Sequence, residues 1–173
     1  MFNALSGSHP VKDRIFISYR RADAGAVAGR LRDRLEELFP GHVFLDVDDI
    51  APGQDFVAAI EGNLASAAAL IVVIGNQWLR GSASGAKLGD PDDYVTRELV
   101  AALRMRVPIV PVLVDGADMP DEQALPQDLR PFTRNNAVRV RHESFRRDCE
   151  PLVEFLYDAL EYVPPTPLER FME

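Results

Sequence analysis

Short apolar runs alternate with amphipathic stretches along most of the chain. Runs of four to eight apolar residues rich in β-branched or aromatic side chains are typical of buried strands. Five such runs occur, at residues 14–19, 42–46, 69–74, 107–114 and 136–140. Between them, apolar residues recur at the three-to-four-residue spacing of a helix that packs one face on a core. This pattern predicts helices over residues 23–39, from Phe56, after Asp93 and over residues 150–162.

Five strands alternating with helices predict an α/β fold with a doubly wound, five-stranded parallel sheet and helices on both faces. With right-handed crossovers, the commonest strand order is 2-1-3-4-5. The fourth strand contains Pro108 and Pro111, which cannot donate ladder hydrogen bonds. We therefore expect this strand to lie near an edge or to be bonded on one side.

The 173 residues suit a single domain over residues 13–162. Residues 1–12 read as a flexible polar lead. Residues 163–173 contain Pro164, Pro165 and Pro167 and read as a stiff linker or tail, leading to a further domain in a longer protein.

A formal net charge of −8 argues against a nucleic-acid or anionic-membrane surface. The longest apolar run, residues 67–75, is too short to span a bilayer. Cys149 is the only cysteine, which excludes an intrachain disulfide and favours a reducing, cytoplasmic setting. The three histidines lack metal-ligand spacing, so no metal site is predicted. Arginine and alanine richness favours a bacterial origin.

One helix start combines a cap with a candidate acid. Asp92 and Asp93 suit an N-cap, and Tyr94 and Glu98 are four residues apart, so they are neighbours on the helix surface. Glu98 is predicted at the rim of the core. Two interpretations stay open from the helix alone, an acid tuned for chemistry and an ordinary solvated glutamate.

The predicted strand order places a ligand crevice beyond the carboxyl ends of the first and third strands, where the chain reverses direction. The loops there are residues 19–22 and 75–91, and the second delivers Glu98 to the crevice. Arg20 and Arg21 could grip phosphate groups there, or could be surface arginines balancing nearby aspartates. Phe16 and Trp78 could offer flat surfaces, although a mid-strand Phe16 is more often core and Trp78 could anchor its loop.

The sequence lacks the motifs of several other classes of enzyme and signalling domain. The glycines of residues 75–91 form neither a phosphate loop nor a dinucleotide fingerprint, and favour a mobile cover instead. No nucleophile elbow is present. An acidic cluster follows the second strand, as in phosphoryl-accepting receiver domains. However, the third strand ends without an aspartate and the fourth contains no lysine, which disfavours that alternative.

An ordered set of segments resembles the TIR (Toll/interleukin-1 receptor) domain family. The matching segments are residues 16–21 (FISYRR), 44–53 (FLDVDDIAPG), 69–74, Trp78, 94–98 (YVTRE) and 107–114. The resemblance implies a flavodoxin-like fold, in agreement with the strand order above. It also implies one of two functions: cleavage of NAD⁺ to nicotinamide and ADP-ribose or a cyclic form, or a non-catalytic adaptor that binds other TIR domains.

For the enzymatic branch, the resemblance implies that Glu98 is catalytic, because it stands four residues after an aromatic. That aromatic is Tyr94, whereas tryptophan is frequent in the family. NAD⁺ is then the substrate, with no separate cofactor, and the substrate-binding candidates are Phe16, Arg20, Arg21, Trp78 and Tyr94.

The family's BB loop corresponds here to a Pro/Gly-bearing segment after the second strand. The resemblance implies that this loop contacts neighbouring TIR domains and that activity depends on assembly. The residues assigned to it are Asp48, Asp49, Ile50, Pro52 and Gly53.

Overall fold

The computed structural model describes residues 12–45, 56–80 and 87–162. Five strands form one sheet, in which every pair of neighbours is parallel and the order is β2-β1-β3-β4-β5. The predicted fold class and strand order are therefore confirmed. The strands are β1 (Arg14–Tyr19), β2 (Val43–Leu45), β3 (Ala67–Ile74), β4 (Ile109–Leu113) and β5 (Val138–Arg139).

The helices follow the amphipathic stretches closely, with differences at their ends. They are α1 (Arg21–Leu38), α2 (Phe56–Ala65), α3 (Tyr94–Met105), α4 (Phe145–Asp148) and α5 (Glu150–Ala159). Three 3₁₀ segments cover Trp78–Arg80, Glu122–Ala124 and Gln127–Arg134. The four-residue α4 and the first two 3₁₀ turns were not predicted, because so short an element shows no periodicity.

Two hydrophobic layers cover the sheet. On one face, Phe16 of β1 packs in a cluster with side chains from α2, α3 and the 3₁₀ segment Gln127–Arg134. On the other face, Ile15 and Ile17 pack with side chains from α1, α4 and α5. The alternation along β1 follows from the two-residue period of a strand. β3 is buried along its whole length, as expected for the central strand of a sheet covered on both faces.

The prolines of the fourth strand are accommodated without placing it at an edge. β4 lies between β3 and β5, but β5 pairs only with Val112 and Leu113. The amide of Val114 bonds to β3 and the carbonyl of Leu113 bonds to the β5 side. By strand alternation, Pro111 faces the β5 side just before that pairing starts, so its missing N–H leaves no gap in the ladder.

Several predicted features lie outside the described residues. They include nearly all of the N-terminal lead, the Pro-rich tail of residues 163–173 and the whole set assigned to the BB loop. Among the helices that are described, none is long and apolar enough to cross a membrane.

Candidate functional site at the carboxyl ends of β1 and β3

A buried ion pair joins the end of β1 to the start of α3. Arg20 follows β1 directly, and Nη1 and Nη2 of its guanidinium donate to Oδ1 and Oδ2 of Asp93 at 2.6 and 2.9 Å. Its Nε donates to the carbonyl oxygen of Trp78 at 2.6 Å. Both side chains are almost fully buried, at 3% and 1% exposure. One guanidinium therefore ties together the segments after β1, after β3 and before α3.

Asp93 is also the N-cap of α3. Its Oδ2 accepts hydrogen bonds from the backbone N of Thr96 at 3.0 Å and from Thr96 Oγ1 at 2.7 Å. Thr96 Oγ1 in turn accepts a bond from the backbone N of Gly89 at 2.8 Å, which fixes the end of the preceding loop. The prediction that an aspartate caps this helix is thus confirmed for Asp93.

The pKa of Asp93 is set by opposing influences. Burial raises this pKa, but the hydrogen bonds from Arg20 and Thr96 and the positive charge of Arg20 lower it by more. The pKa of Asp93 is therefore below its usual value of 3.8. The carboxylate is therefore ionised at neutral pH, and the ion pair persists there.

A second aspartate shapes the turn after β3. Asp23, where the sequence predicts the first helix to begin, lies instead in the first turn of α1. Its carboxylate accepts bonds from the backbone N of Gly75 at 2.9 Å and of Gln77 at 2.8 Å. A Cβ on Gly75 would lie 2.5 Å from Oδ1 of Asp23, so any larger residue there would displace this carboxylate. The N-cap of α1 is Arg20, and its side chain makes no capping bond.

Two predicted ligand contacts turn out to be core residues. Phe16 is buried and its ring centroid lies 5.5 Å from that of Phe44. Trp78 is 1% exposed and packs on Phe132 with centroids 5.7 Å apart. The anchoring alternative for Trp78 matches this geometry, and the buried indole face is not open to a ligand in this conformation. Within the described chain, its Nε1 is buried without a hydrogen-bond partner.

The remaining candidates, Glu98, Tyr94 and Arg21, differ in their exposure. Glu98 is in the second turn of α3 and is only 3% exposed, so the expectation of a half-solvated rim position was wrong. Val95 and Leu99 mark the core-facing side of α3, and Glu98 lies about 60° around the helix from Val95, at the edge of that side. Its burial therefore shows that surrounding segments cover this edge. Tyr94, by contrast, is 42% exposed. Arg21, the first residue of α1, is also exposed.

Sequence reasoning missed three supporting residues, Asp23, Thr96 and Gly89. Thr96 carried a local signal, since a hydroxyl residue three positions after an N-cap can return a bond to it. The roles of Asp23 and Arg20 carried none, because their partners are more than 50 residues away in sequence. In the described ranges, no group of three or more His, Cys, Asp or Glu side chains is placed to hold a metal ion.

The sheet order, with a polar site at the point where the strand order reverses, defines a doubly wound α/β domain of the kind that binds ligands at this edge. The chain belongs to the TIR domain family, whose sequence pattern matches residues 15–152.

Similar proteins include three from animals. "NAD(+) hydrolase SARM1" of Danio rerio is 31% identical over 154 residues, covering 88% of this chain and 20% of that protein. "NAD(+) hydrolase sarm1" of Drosophila melanogaster is 29% identical over 142 residues, covering 82% and 10%. "NAD(+) hydrolase tir-1" of Caenorhabditis elegans is 28% identical over 158 residues, covering 90% and 15%. The chain thus spans a fifth or less of the length of these relatives.

Among solved structures, the fold resembles a metazoan TIR-STING receptor from C. gigas in complex with 2′,3′-cGAMP. The TM-score is 0.52 at 22% identity, over 91% of this chain and 42% of that one. At this identity the likeness concerns the fold alone.

Proposed function

We propose that this domain is an NAD⁺ glycohydrolase that cleaves the nicotinamide–ribose bond, with Glu98 as its catalytic carboxylate. The observation that carries the proposal is the place of Glu98. It is a buried acid on a helix whose first turn is anchored at the carboxyl end of β1. Relatives of about 30% identity named as NAD(+) hydrolases support the choice of substrate.

The chemistry needs only one acid. Cleavage of the nicotinamide–ribose bond develops positive charge on the ribose, as in glycoside hydrolysis. Nicotinamide leaves as a neutral pyridine, so no general acid is required. A carboxylate held in a largely water-excluded position stabilises the oxocarbenium-like transition state more strongly than one in bulk water. The low exposure of Glu98 suits this role better than the rim position expected from sequence.

We propose fewer substrate-contacting residues than the sequence suggested. Arg21 and Tyr94 are exposed at the start of their helices, so Arg21 can meet the pyrophosphate and Tyr94 can stack on a ring. Phe16 and Trp78 support the site from within the core, and Arg20 is bound to Asp93. Closure of the crevice then decides between hydrolysis to ADP-ribose and cyclisation, because excluding water disfavours hydrolysis.

We further propose that the domain works as an assembly of TIR domains through the BB-loop residues, in a cytoplasmic protein of bacterial antiviral defence. The loop precedes α2, which packs beside α3. The contact between α2 and α3 links the element that follows the loop in sequence to the helix that carries Glu98.

One observation favours the adaptor alternative. Three of the five expected substrate contacts, Phe16, Arg20 and Trp78, are buried. A non-catalytic interaction module needs none of them at a surface. In that case Glu98 is a structural acid, and the BB loop is the functional element.

The test is to incubate concentrated or bead-clustered protein with NAD⁺ and to separate nicotinamide, ADP-ribose and cyclic products by chromatography. Turnover supports the enzyme, and the product ratio identifies hydrolase or cyclase activity. Absence of turnover under every clustering condition, with self-association intact, contradicts the enzyme and supports the adaptor.

A further inference from the structure

We propose that Arg20 and Asp93 are positioning residues for NAD⁺ cleavage. Their ion pair sets the place of α3, and with it the Glu98 carboxylate, relative to the carboxyl end of β1. This inference rests on the proposed function, because it concerns the same reaction. It gives Arg20 a different role from the phosphate contact considered in the sequence analysis.

The hydrogen bonds of Arg20 fix the orientation of its guanidinium group. The guanidinium is a rigid planar fork, and bidentate pairing with a carboxylate fixes orientation as well as distance. Both Nη atoms of Arg20 are bonded to Asp93, while its Nε is bonded to the Trp78 carbonyl on a different segment. The plane of Arg20 is therefore fixed from two sides, and so is the carboxylate that it holds.

Asp93 also connects the ion pair to the first turn of α3. Its carboxylate accepts four hydrogen bonds, two from Arg20 and two from Thr96 in the first turn of α3. Val95 and Leu99 of the same helix pack in the core cluster that contains Phe16 of β1. Glu98 is five residues after the N-cap Asp93 in the same helix, so a shift of the first turn moves it with the helix.

The burial of Arg20 rules it out as a primary phosphate contact in this conformation. Arg20 is 4% exposed, whereas its neighbour Arg21 is exposed. Pulling Arg20 away to meet a phosphate would leave the Asp93 charge buried without its partner, which is strongly unfavourable. The pair is therefore a fixed support, and Arg21 is the arginine available to substrate.

The experiment compares kcat and KM for NAD⁺ in clustered wild-type protein, Arg20→Lys and Asp93→Asn. Lysine keeps the charge but not the fork, and asparagine keeps the shape but not the charge. Because a displacement near 1 Å can cost on the order of 100-fold in rate, we expect kcat to fall about 10- to 100-fold in both variants. KM should stay within about threefold, because the pair does not contact substrate.

A matched control exists far from the site. Nε and Nη2 of Arg141 donate to the carboxylate of Asp148 at 2.9 and 3.0 Å, and Ser144 also donates to Asp148. Arg141→Lys and Asp148→Asn break a second bidentate arginine–aspartate pair, beside α4 on the opposite face of the sheet. Arg141 is 65% exposed, so the pair controls for the loss of bidentate bonding and not for burial. Both variants should leave kcat per folded molecule unchanged.

A readout without catalysis accompanies the kinetics. Hydrogen exchange of the amides of Thr96 and Arg97 should speed up by about 10-fold or more in Asp93→Asn relative to amides of α5, because the N-cap bond is weakened. If Asp93→Asn does not fold, Thr96→Val removes the hydroxyl bonds to Asp93 and Gly89 while retaining the ion pair. We expect from it a smaller loss of kcat, about two- to fivefold.

The outcomes separate the possibilities. A raised KM with unchanged kcat would overturn the positioning role and make Arg20 a substrate contact. Unchanged kcat and KM per folded molecule, with lower stability, would make the pair merely structural and would equally overturn the proposal. If wild-type protein releases no nicotinamide, the proposed function fails. The hydrogen-exchange measurement does not depend on activity. If Asp93→Asn leaves the exchange of the Thr96 and Arg97 amides unchanged, the ion pair does not position α3, and this overturns the proposal separately.

Discussion

At the scale of single residues, the role of a side chain depended on partners that are distant in sequence. Arg20 and Asp93 are 73 positions apart, and Asp23 and Gly75 are 52 apart. Local spacing predicts that an aspartate caps α3, because the N-cap and its bonded amide lie within one turn. It cannot predict which buried cation the same aspartate meets, since that contact exists only once β1, β3 and α3 are packed.

Gly75 is a position where one methyl group should be costly. In Gly75→Ala the new Cβ would meet the Asp23 carboxylate at 2.5 Å and displace it from two backbone amides. We expect the free energy of unfolding to fall by about 1–3 kcal/mol, measured by urea denaturation. Gly62→Ala, in α2 with no atom within 4 Å, is the control. It should raise stability by about 0.5–1 kcal/mol. Equal effects of the two variants would contradict the clash.

Tyr94 is the exposed aromatic next to Glu98, and its ring rather than its hydroxyl should matter for stacking on substrate. Tyr94→Ala should raise KM for NAD⁺ by about 5- to 100-fold, the range of a lost base–aromatic stack. Tyr94→Phe should stay within about twofold of wild type. Steady-state kinetics on clustered protein measure both. A KM unaffected by Tyr94→Ala would remove the residue from the substrate site.

At the scale of elements, hydrophobic periodicity predicted every strand and the four longer helices. It failed where an element is too short to show a period, as in α4 and Trp78–Arg80. It also misjudged the burial of Glu98, because the apolar stripe of α3 gives the direction of the core but not how much the surrounding segments cover its edges. At the start of α3, Asp93 is both the N-cap of the helix and a member of the buried ion pair.

The ion pair at the start of α3 should make stability depend on acid. The pKa of Asp93 is lowered in the folded protein, so between that value and the unfolded 3.8 the unfolded chain binds more protons. The stabilisation is therefore fully present above pH 3.8 and is lost as pH falls through the folded pKa. Asp93→Asn should cost about 3–5 kcal/mol at neutral pH.

Urea unfolding of wild type and Asp93→Asn at neutral pH and in acid measures this dependence. The difference between the two proteins should shrink steadily as the pH drops below 3.8. A difference that stays constant down to strong acid would show that Asp93 acts through its shape and not through its charge.

At the scale of the whole molecule, the alternation of strands and helices was sufficient to predict the sheet order, because short right-handed connections leave few topologies. Assembly is a different matter, since it depends on surfaces that a single chain cannot reveal. The BB-loop residues remain a prediction from family resemblance.

A substitution in that loop tests the role of assembly. Gly53→Pro removes a backbone donor and fixes φ at a turn, so we expect it to weaken self-association while leaving the folded domain intact. NAD⁺ cleavage per molecule should then fall in concentrated solution. Analytical ultracentrifugation and thermal unfolding separate the two effects. Normal association by Gly53→Pro would argue against a contact through this loop.

Nicotinamide release by the Glu98→Gln variant is the sharpest test of Glu98 as the catalytic carboxylate. Glutamine keeps the shape of the side chain but cannot stabilise the positive charge that develops on ribose, so we expect a loss of about 100-fold or more in kcat. Glu154→Gln, on the exposed side of α5, is the control and should match wild type. Nicotinamide release by folded, clustered Glu98→Gln at the wild-type rate would show that Glu98 is not the catalytic carboxylate.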